Sequence, residues 1–365
     1  SFGPDGNESI IKCGTFSTDS SGDATVNIGF EPQFLLTKNL SDQGHWTTWD
    51  SHRTMTRTLD WSIELNNSNN DGVADFGHFL PTGFHFHDED ASAEFIYMAI
   101  RRPFKTPEDA TKVFHSAVRS SGTETTGILA DLQIFQKTSS GTPYWIDRQR
   151  GIFNLNSPAW QNQFYDQKLL RSDQGSSHSD DGGSDTAAVH IFGSYKHKVS
   201  GEASTLNFSR ANNVFDIVTY DGNGTGQTVS HNLGATPELI IIKKFNGNTS
   251  QDWYAYSKTL GKGAYVRPNQ RNGISYSTTV FNNTAPTSSL FSVGQNNDVN
   301  ENGDDFVAYL WASSENVSHV GTYTGTGSNI DIDCNFTGDA VFVMIKCTSH
   351  AGNWVYFSDA LGLNS

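Results

Sequence analysis

The chain has 365 residues, 39 of them acidic against 24 basic, for a formal net charge of −15. Charged residues make up only 17%, aromatics reach 12% and glycine numbers 34, which excludes the charged, Ala/Leu-rich make-up of helical bundles and coiled coils. The acidic balance argues against a nucleic-acid binder, which needs basic surface to displace counterions from phosphates, and the length allows about two to four domains with real cores.

No run of about 18 apolar residues is present, so no transmembrane helix is predicted. The opening Ser1-Phe2-Gly3-Pro4 has neither a Met nor a basic-then-apolar leader pattern, and is read as that of a processed form or a fragment. Cys13, Cys334 and Cys347 are an odd and sparse set, which is no disulfide framework.

In chain order, the apolar runs are short, β-branched or aromatic, and bounded by Gly, Asn and Asp, the pattern of strands joined by turns. Gly14-Thr15-Phe16 is followed by Pro32-Gln33-Phe34-Leu35-Leu36-Thr37-Lys38, Trp46 and the closing run Glu94 to Ile100. Arg102-Pro103-Phe104-Lys105-Thr106-Pro107 then reads as a stiff linker. A worn copy follows in Asp131 to Lys137, Trp145 and the closing run His190 to Tyr195, and Ser200 to Asn213 reads as a polar linker. The next copy has Val218-Thr219-Tyr220, Pro237 to Lys243, Trp253 and the closing run Asp305 to Trp311. After a hinge at Ser313-Ser314-Glu315-Asn316 come Gly321-Thr322-Tyr323, Phe342 to Lys346 and Trp354.

Trp46, Trp145, Trp253 and Trp354 are thus 99, 108 and 101 residues apart, a period that means tandem β-sandwich units. The expected organisation is a linker at 1–8 and sandwiches at 9–105, 113–200 and 213–313, with an incomplete fourth at 317–365. The predicted class is all-β, built of tandem antiparallel sandwiches. Half a sandwich leaves strand edges open, so the natural chain is expected to continue beyond Ser365, the alternative being a partner that supplies the missing strands.

Several runs resemble a repeat module of tailed-bacteriophage virion proteins, of the kind seen in marine and cyanobacterial phages. They are Ser9 to Phe16, Gly29-Phe30-Glu31-Pro32-Gln33, Tyr97 to Pro103, Thr228 to Ile241 and Ala285 to Gly294. The resemblance covers nearly the whole chain and is weakest over 113–200. It implies a concanavalin-like (jelly-roll) sandwich and a non-enzymatic virion surface protein of tail-fibre or adhesin type. A capsid-decorating protein, a carbohydrate-binding lectin and a polysaccharide depolymerase are the alternatives. The implied partners are other virion proteins, further copies of this chain and host surface polysaccharide.

Four features could carry chemistry. The repeated tryptophans, with Pro32 and Pro237 before them, read as structural positions, although an exposed Trp face also suits a sugar ring. Asp298, Asn300 and Asn302, closed by Gly303, match the first half of a calcium loop, but Tyr309 stands where a bidentate Glu belongs. The related run Asn67 to Gly72 has His78 at that place. Both read more plainly as turns. His85, His87 and Glu89 alternate with Phe84 and Phe86, so a strand there would put two imidazoles and a carboxylate on one face, a candidate metal set. No pair of carboxylates at glycosidase spacing, no nucleophile elbow and no phosphate loop is present, so neither catalysis nor a cofactor is predicted.

Overall fold

A computed structural model describes residues 10–51, 60–66, 72–74, 76–102, 106–122, 127–128, 130–137, 144–147, 149, 199–245 and 251–361. Strand accounts for 43% and helix for 4%, so the class is all-β, with antiparallel sheets as the sequence predicts.

The first unit has nine strands: β1 (Ile11–Ser17), β2 (Asp23–Asn27), β3 (Pro32–Asn39), β4 (Trp46–Asp50), β5 (Asp60–Glu64), β6 (Gly72–Ala74), β7 (Gly77–Leu80), β8 (Gly83–His87) and β9 (Glu94–Arg101). They form a large sheet of order β1-β9-β3-β4-β5-β6 and a small one of order β2-β8-β7. Alternation drives the two together, because a strand turns successive side chains to opposite faces. Phe95, Tyr97 and Ala99 of β9, with Leu35 and Trp49, pack on Phe79, Phe84 and Phe86 of the small sheet. Phe16 joins them, stacked on Phe95 at 5.2 Å. Gly77 allows the two short strands to meet: at φ +122 a Cβ there would lie 2.1 Å from the His85 carbonyl oxygen.

The second sheet has β10 (Phe114–Gly122), β11 (Leu132–Lys137), β12 (Tyr144–Asp147) and β13 (Val199–Phe208), in the order β10-β13-β11-β12. This corrects two expectations. The polar segment from Ser200 is no linker, and the second unit does not end at residue 200. Val199–Phe208 is a central strand, paired on both sides. Its only apolar pair near the end, Leu206 and Phe208, is buried, and the polar residue between them is satisfied: buried Gln133 Nε2 donates to the Asn207 side-chain oxygen Oδ1 at 2.7 Å. A hydrogen-bonded polar strand lacks the apolar run by which strands are recognised. The run His190 to Tyr195 lies outside the described residues.

The third unit has β14 (Phe215–Asp221), β15 (Gln227–Ser230), β16 (Leu239–Lys244), β17 (Tyr254–Ser257), β18 (Ala264–Tyr265), β19 (Ser275–Tyr276), β20 (Leu290–Val293) and β21 (Asp305–Trp311). A four-residue helix, Asn297–Asn300, is capped by Asn296, whose side chain accepts from the Asp298 amide at 2.9 Å. The main sheet, β14-β21-β16-β17, repeats the arrangement of the first unit: the closing strand always inserts between the first strand and the hairpin. A terminal hairpin, β22 (Phe342–Lys346) and β23 (Trp354–Ser358), completes the strands.

One face of the third main sheet packs Val218, Tyr220, Ile240, Ile242 and Phe306 on Val229, Phe291 and Val293 of β15 and β20. Its other face is buried as well. Phe215, Ile217, Ile241, Val307 and Tyr309 pack against Leu132, Ile134, Leu206 and Phe208 of the second sheet, and Phe342, Met344, Trp354 and Tyr356 of the terminal hairpin lie against the same cluster. This sheet is a middle layer, which is why β16 reads Leu239-Ile240-Ile241-Ile242 without alternation.

Candidate functional site

The most heavily buried charge cluster lies where the three sheets meet. Its centre is Arg210, in the short segment between β13 and β14. The guanidinium makes a two-pronged contact with Glu31, Nη1 to Oε1 and Nη2 to Oε2, both 2.7 Å. Its Nε donates to Asp216 Oδ1 at 2.7 Å, and its backbone amide donates to Asp131 Oδ2, also at 2.7 Å. Arg102 reaches Asp131 from the end of β9 at 3.2 Å. Asn232 closes the ring: its side chain donates to Glu31 and to the Pro81 carbonyl, and its backbone amide donates to Asp216.

Each residue comes from a different place in the fold. Glu31 and Arg102 flank β3 and β9 of the first unit, Asp131 precedes β11, and Asp216 lies on β14. Side-chain exposures of 3% for Arg210, 8% for Glu31 and 0% for Asp216 put the pair in a low-dielectric setting, where a planar guanidinium matched to a carboxylate is at its strongest. Burial alone raises the Glu31 carboxyl, but the Arg210 charge and its hydrogen bonds outweigh it and hold the carboxyl below its ordinary range. Burial likewise opposes the Arg210 charge, and Asp216 and Glu31 more than restore it, raising the guanidinium further.

The arrangement suits fastening, since matched charges from separate segments are held together out of water. The cleft beside it, lined by Glu31, Phe79, Pro81, Gln149, Arg210 and Ile217, has room for about one water. A second tie runs between the sheets: the Tyr309 hydroxyl donates to Asp147 Oδ2 at 2.7 Å.

None of the residues around Arg210 was singled out as a candidate site by the sequence reading. The one signal was a lone charge inside an apolar run, Glu31 between Phe30 and Pro32 and Asp216 between Phe215 and Ile217, in a chain poor in charge.

The sequence-derived candidates are placed as follows. Asn300 is fully buried and its amide is spent on the neighbouring turn: it accepts from the Asn223 amide and Gln227 and donates to the Gly294 carbonyl at 2.7 Å. Asp298 accepts from the Tyr254 hydroxyl at 2.6 Å, and Tyr309 lies in the inter-sheet core. The side-chain oxygens of Asp298 and Asn300 are thus both bonded within the fold. The residues 67–71 of the related run lie outside the described residues.

His85 and His87 alternate with the fully buried Phe84 and Phe86 as predicted, but Glu89 falls in the exposed turn beyond β8. Their carboxylate neighbour is Asp23 of β2, 2.9 Å from His87 Nδ1 and 3.7 Å from His85 Nε2. Among the described residues no group of three or more His, Cys, Asp or Glu is placed to hold a metal.

The tryptophans do not share one register. Trp46 and Trp354 stand opposite Lys38 and Lys346, but Trp145 stands opposite Ile134, three residues before Lys137, the place that Trp49 takes opposite Leu35. Loop lengths that match in sequence thus conceal a shift in pairing. Trp46 is 40% exposed, whereas Trp253 is buried and packs against Trp145 at 5.1 Å. Pro32 opens β3 and Pro237 precedes β16, both buried, where a strand spares an amide donor.

Fold and junction together define a layered all-β protein whose sheets are joined by a common core and a buried ionic knot. The chain belongs to the family described as Domain of unknown function (DUF7483), whose model matches residues 8–102 and 193–361. No curated protein matches it.

Proposed function

We propose that the protein is a non-enzymatic structural component of a virion surface, of tail-fibre or adhesin type. The observation that carries this reading is the junction at Arg210, which joins residues from three sheets through buried, two-pronged contacts. An element that displays loops at a fixed distance from a particle needs joints that do not swing. A common apolar core with a buried guanidinium at its edge supplies such a joint. The resemblance of Ser9 to Phe16, Tyr97 to Pro103 and Thr228 to Ile241 to a phage virion module supplies the setting. The polar groups of Asn300, Asp298 and Asp147, all bonded within the fold, support a structural role. The partners would be other virion proteins and further copies of the chain, with weak contacts to host polysaccharide multiplied by copy number. Antibody labelling of purified phage particles tests this. Label on the particle surface is expected, and particles free of the protein would overturn it.

A further inference from the structure

The end of β16 carries a buried amine in contact with two carboxylates. The Lys244 side chain is 0% exposed, and its Nζ donates to Asp304 Oδ2 at 2.7 Å and to Glu301 Oε2. Strand pairing sets the meeting. Lys244 stands opposite Phe306 of β21, and Asp304 lies two residues before Phe306, the interval that returns a side chain to the same face. The Phe306 ring is fully buried, with its centre 5.8 Å from Nζ. Glu301 follows the Asn297–Asn300 helix and is the most open of the three, at 39%.

The first unit has the same corner without this trio. Asn39 stands opposite Phe95 there, as Lys244 does opposite Phe306. Asp90 and Ala93 precede Phe95 by the intervals at which Glu301 and Asp304 precede Phe306. The Asn39 side chain donates to Asp90 Oδ2 at 2.8 Å, which satisfies that corner with no amine. Where the first unit has an amide and a methyl group, the third has an amine and a carboxylate in contact, with the second carboxylate kept beside them. An amine, a carboxyl acceptor and a proton-carrying carboxylate are the parts that amide formation needs.

We propose that Lys244 and Asp304 join in an isopeptide bond, made by the folded chain itself with Glu301 as the proton carrier. Burial favours the neutral amine, but the hydrogen bonds and charges of Asp304 and Glu301 outweigh it and hold the amine protonated at rest. The reaction therefore begins with a proton passing from Nζ to the Asp304 carboxylate. The freed amine attacks Cγ, and the new N–C bond leaves two hydrogens on nitrogen, one of which goes to Glu301. Glu301 returns that proton to the Asp304 hydroxyl, the C–O bond breaks and one water departs. Glu301 ends as it began, and no oxidant takes part. Attack needs nitrogen and carbon about 3–3.5 Å apart, and a 2.7 Å contact with one carboxylate oxygen holds its carbon close to that range. The bond would tie β16 to β21, neighbours in the middle layer, across 60 residues of chain. Its chemistry is the same whether or not the protein sits on a virion.

Intact-mass spectrometry of the purified full chain under denaturing conditions tests this. The mass is expected to fall one water below that of the sequence, and a protease digest should contain a branched peptide joining Lys244 to Asp304. Lys244→Arg, which cannot form the bond, should restore the full mass. Glu301→Gln keeps both reactants and should form the bond at least about tenfold more slowly. A wild-type chain at the full mass of its sequence would overturn the proposal, even if the variants fail to fold. So would a water loss that tandem spectra place elsewhere, such as at a cyclised Asp221-Gly222. Bond formation at the wild-type rate in Glu301→Gln would overturn the role given to Glu301.

Discussion

Four strands of the first main sheet, β1-β9-β3-β4, share the order and register of the third, β14-β21-β16-β17, yet the two live in different surroundings. Lys38 stands opposite Ile96 in the first, and Lys243 opposite Val307 in the third. Ile96 is 36% exposed and Val307 fully buried; the matching tryptophans, Trp46 and Trp253, are 40% and 9% exposed. The first sheet buries one face, and the third buries both because the second sheet lies on its back. Along the closing strand the outward positions Ile96 and Met98 are matched by Val307 and Tyr309, which are buried in the inter-sheet core, while the inner face keeps Phe95 as Phe306 and exchanges Tyr97 for Ala308.

The sharpest way to break this comparison is a charge at the paired positions. Val307→Asp should destabilise by roughly 4 kcal/mol or more, since it strands a carboxylate between two layers. Ile96→Asp should cost about 1 kcal/mol. Similar urea midpoints for the two variants would show that the third sheet has no covered back.

Next comes the junction. Arg210→Ala leaves Glu31 and Asp216 buried without their counter-charge and should cost about 3–5 kcal/mol. A double-mutant cycle with Glu31→Ala should return a coupling above about 1.5 kcal/mol. Additive losses in that cycle would mean that the two side chains act independently. Of the two tryptophans, Trp253→Ala should cost about 3–5 kcal/mol as a core truncation. Trp46→Ala should cost about 1 kcal/mol or less, and calorimetry of both variants decides.

The smallest effect is on acid stability. Burial lowers the pKa of His231, whose Nδ1 accepts from the Leu233 amide while Nε2 faces the Thr287 carbonyl, 3.2 Å away. The Glu31 carboxyl is also lowered. Both groups bind a proton more readily when the chain is unfolded, so each contributes stability above its unfolded value and loses it on acidification. Stability should fall in two steps, below about pH 6.5 for His231 and below about pH 4.3 for Glu31. His231→Gln should remove the upper step from a series of urea midpoints against pH, and Glu31→Gln the lower.

Much of the strand content was legible. The closing strands Glu94–Arg101 and Asp305–Trp311 and the hairpin runs at Pro32, Leu239 and Phe342 fall where apolar alternation and β-branched residues place them. β13 was not legible, because its buried polar Asn207 is satisfied by a residue 74 positions away rather than by anything local. The junction was hidden for the same reason: Glu31 and Arg210 are 179 residues apart. The tryptophan period misplaces Trp145, because strand register is set by which face must be buried and not by loop length.

The sequence by itself determined the class of this protein, its duplicated strands and the turns between them, because those depend on side-chain period and backbone preference within a few residues. Which face of each sheet is covered and where the charges meet were decided by tertiary structure alone. Burial is a property of what packs on a strand, and two sheets whose central strands pair alike differ in what was laid against their backs.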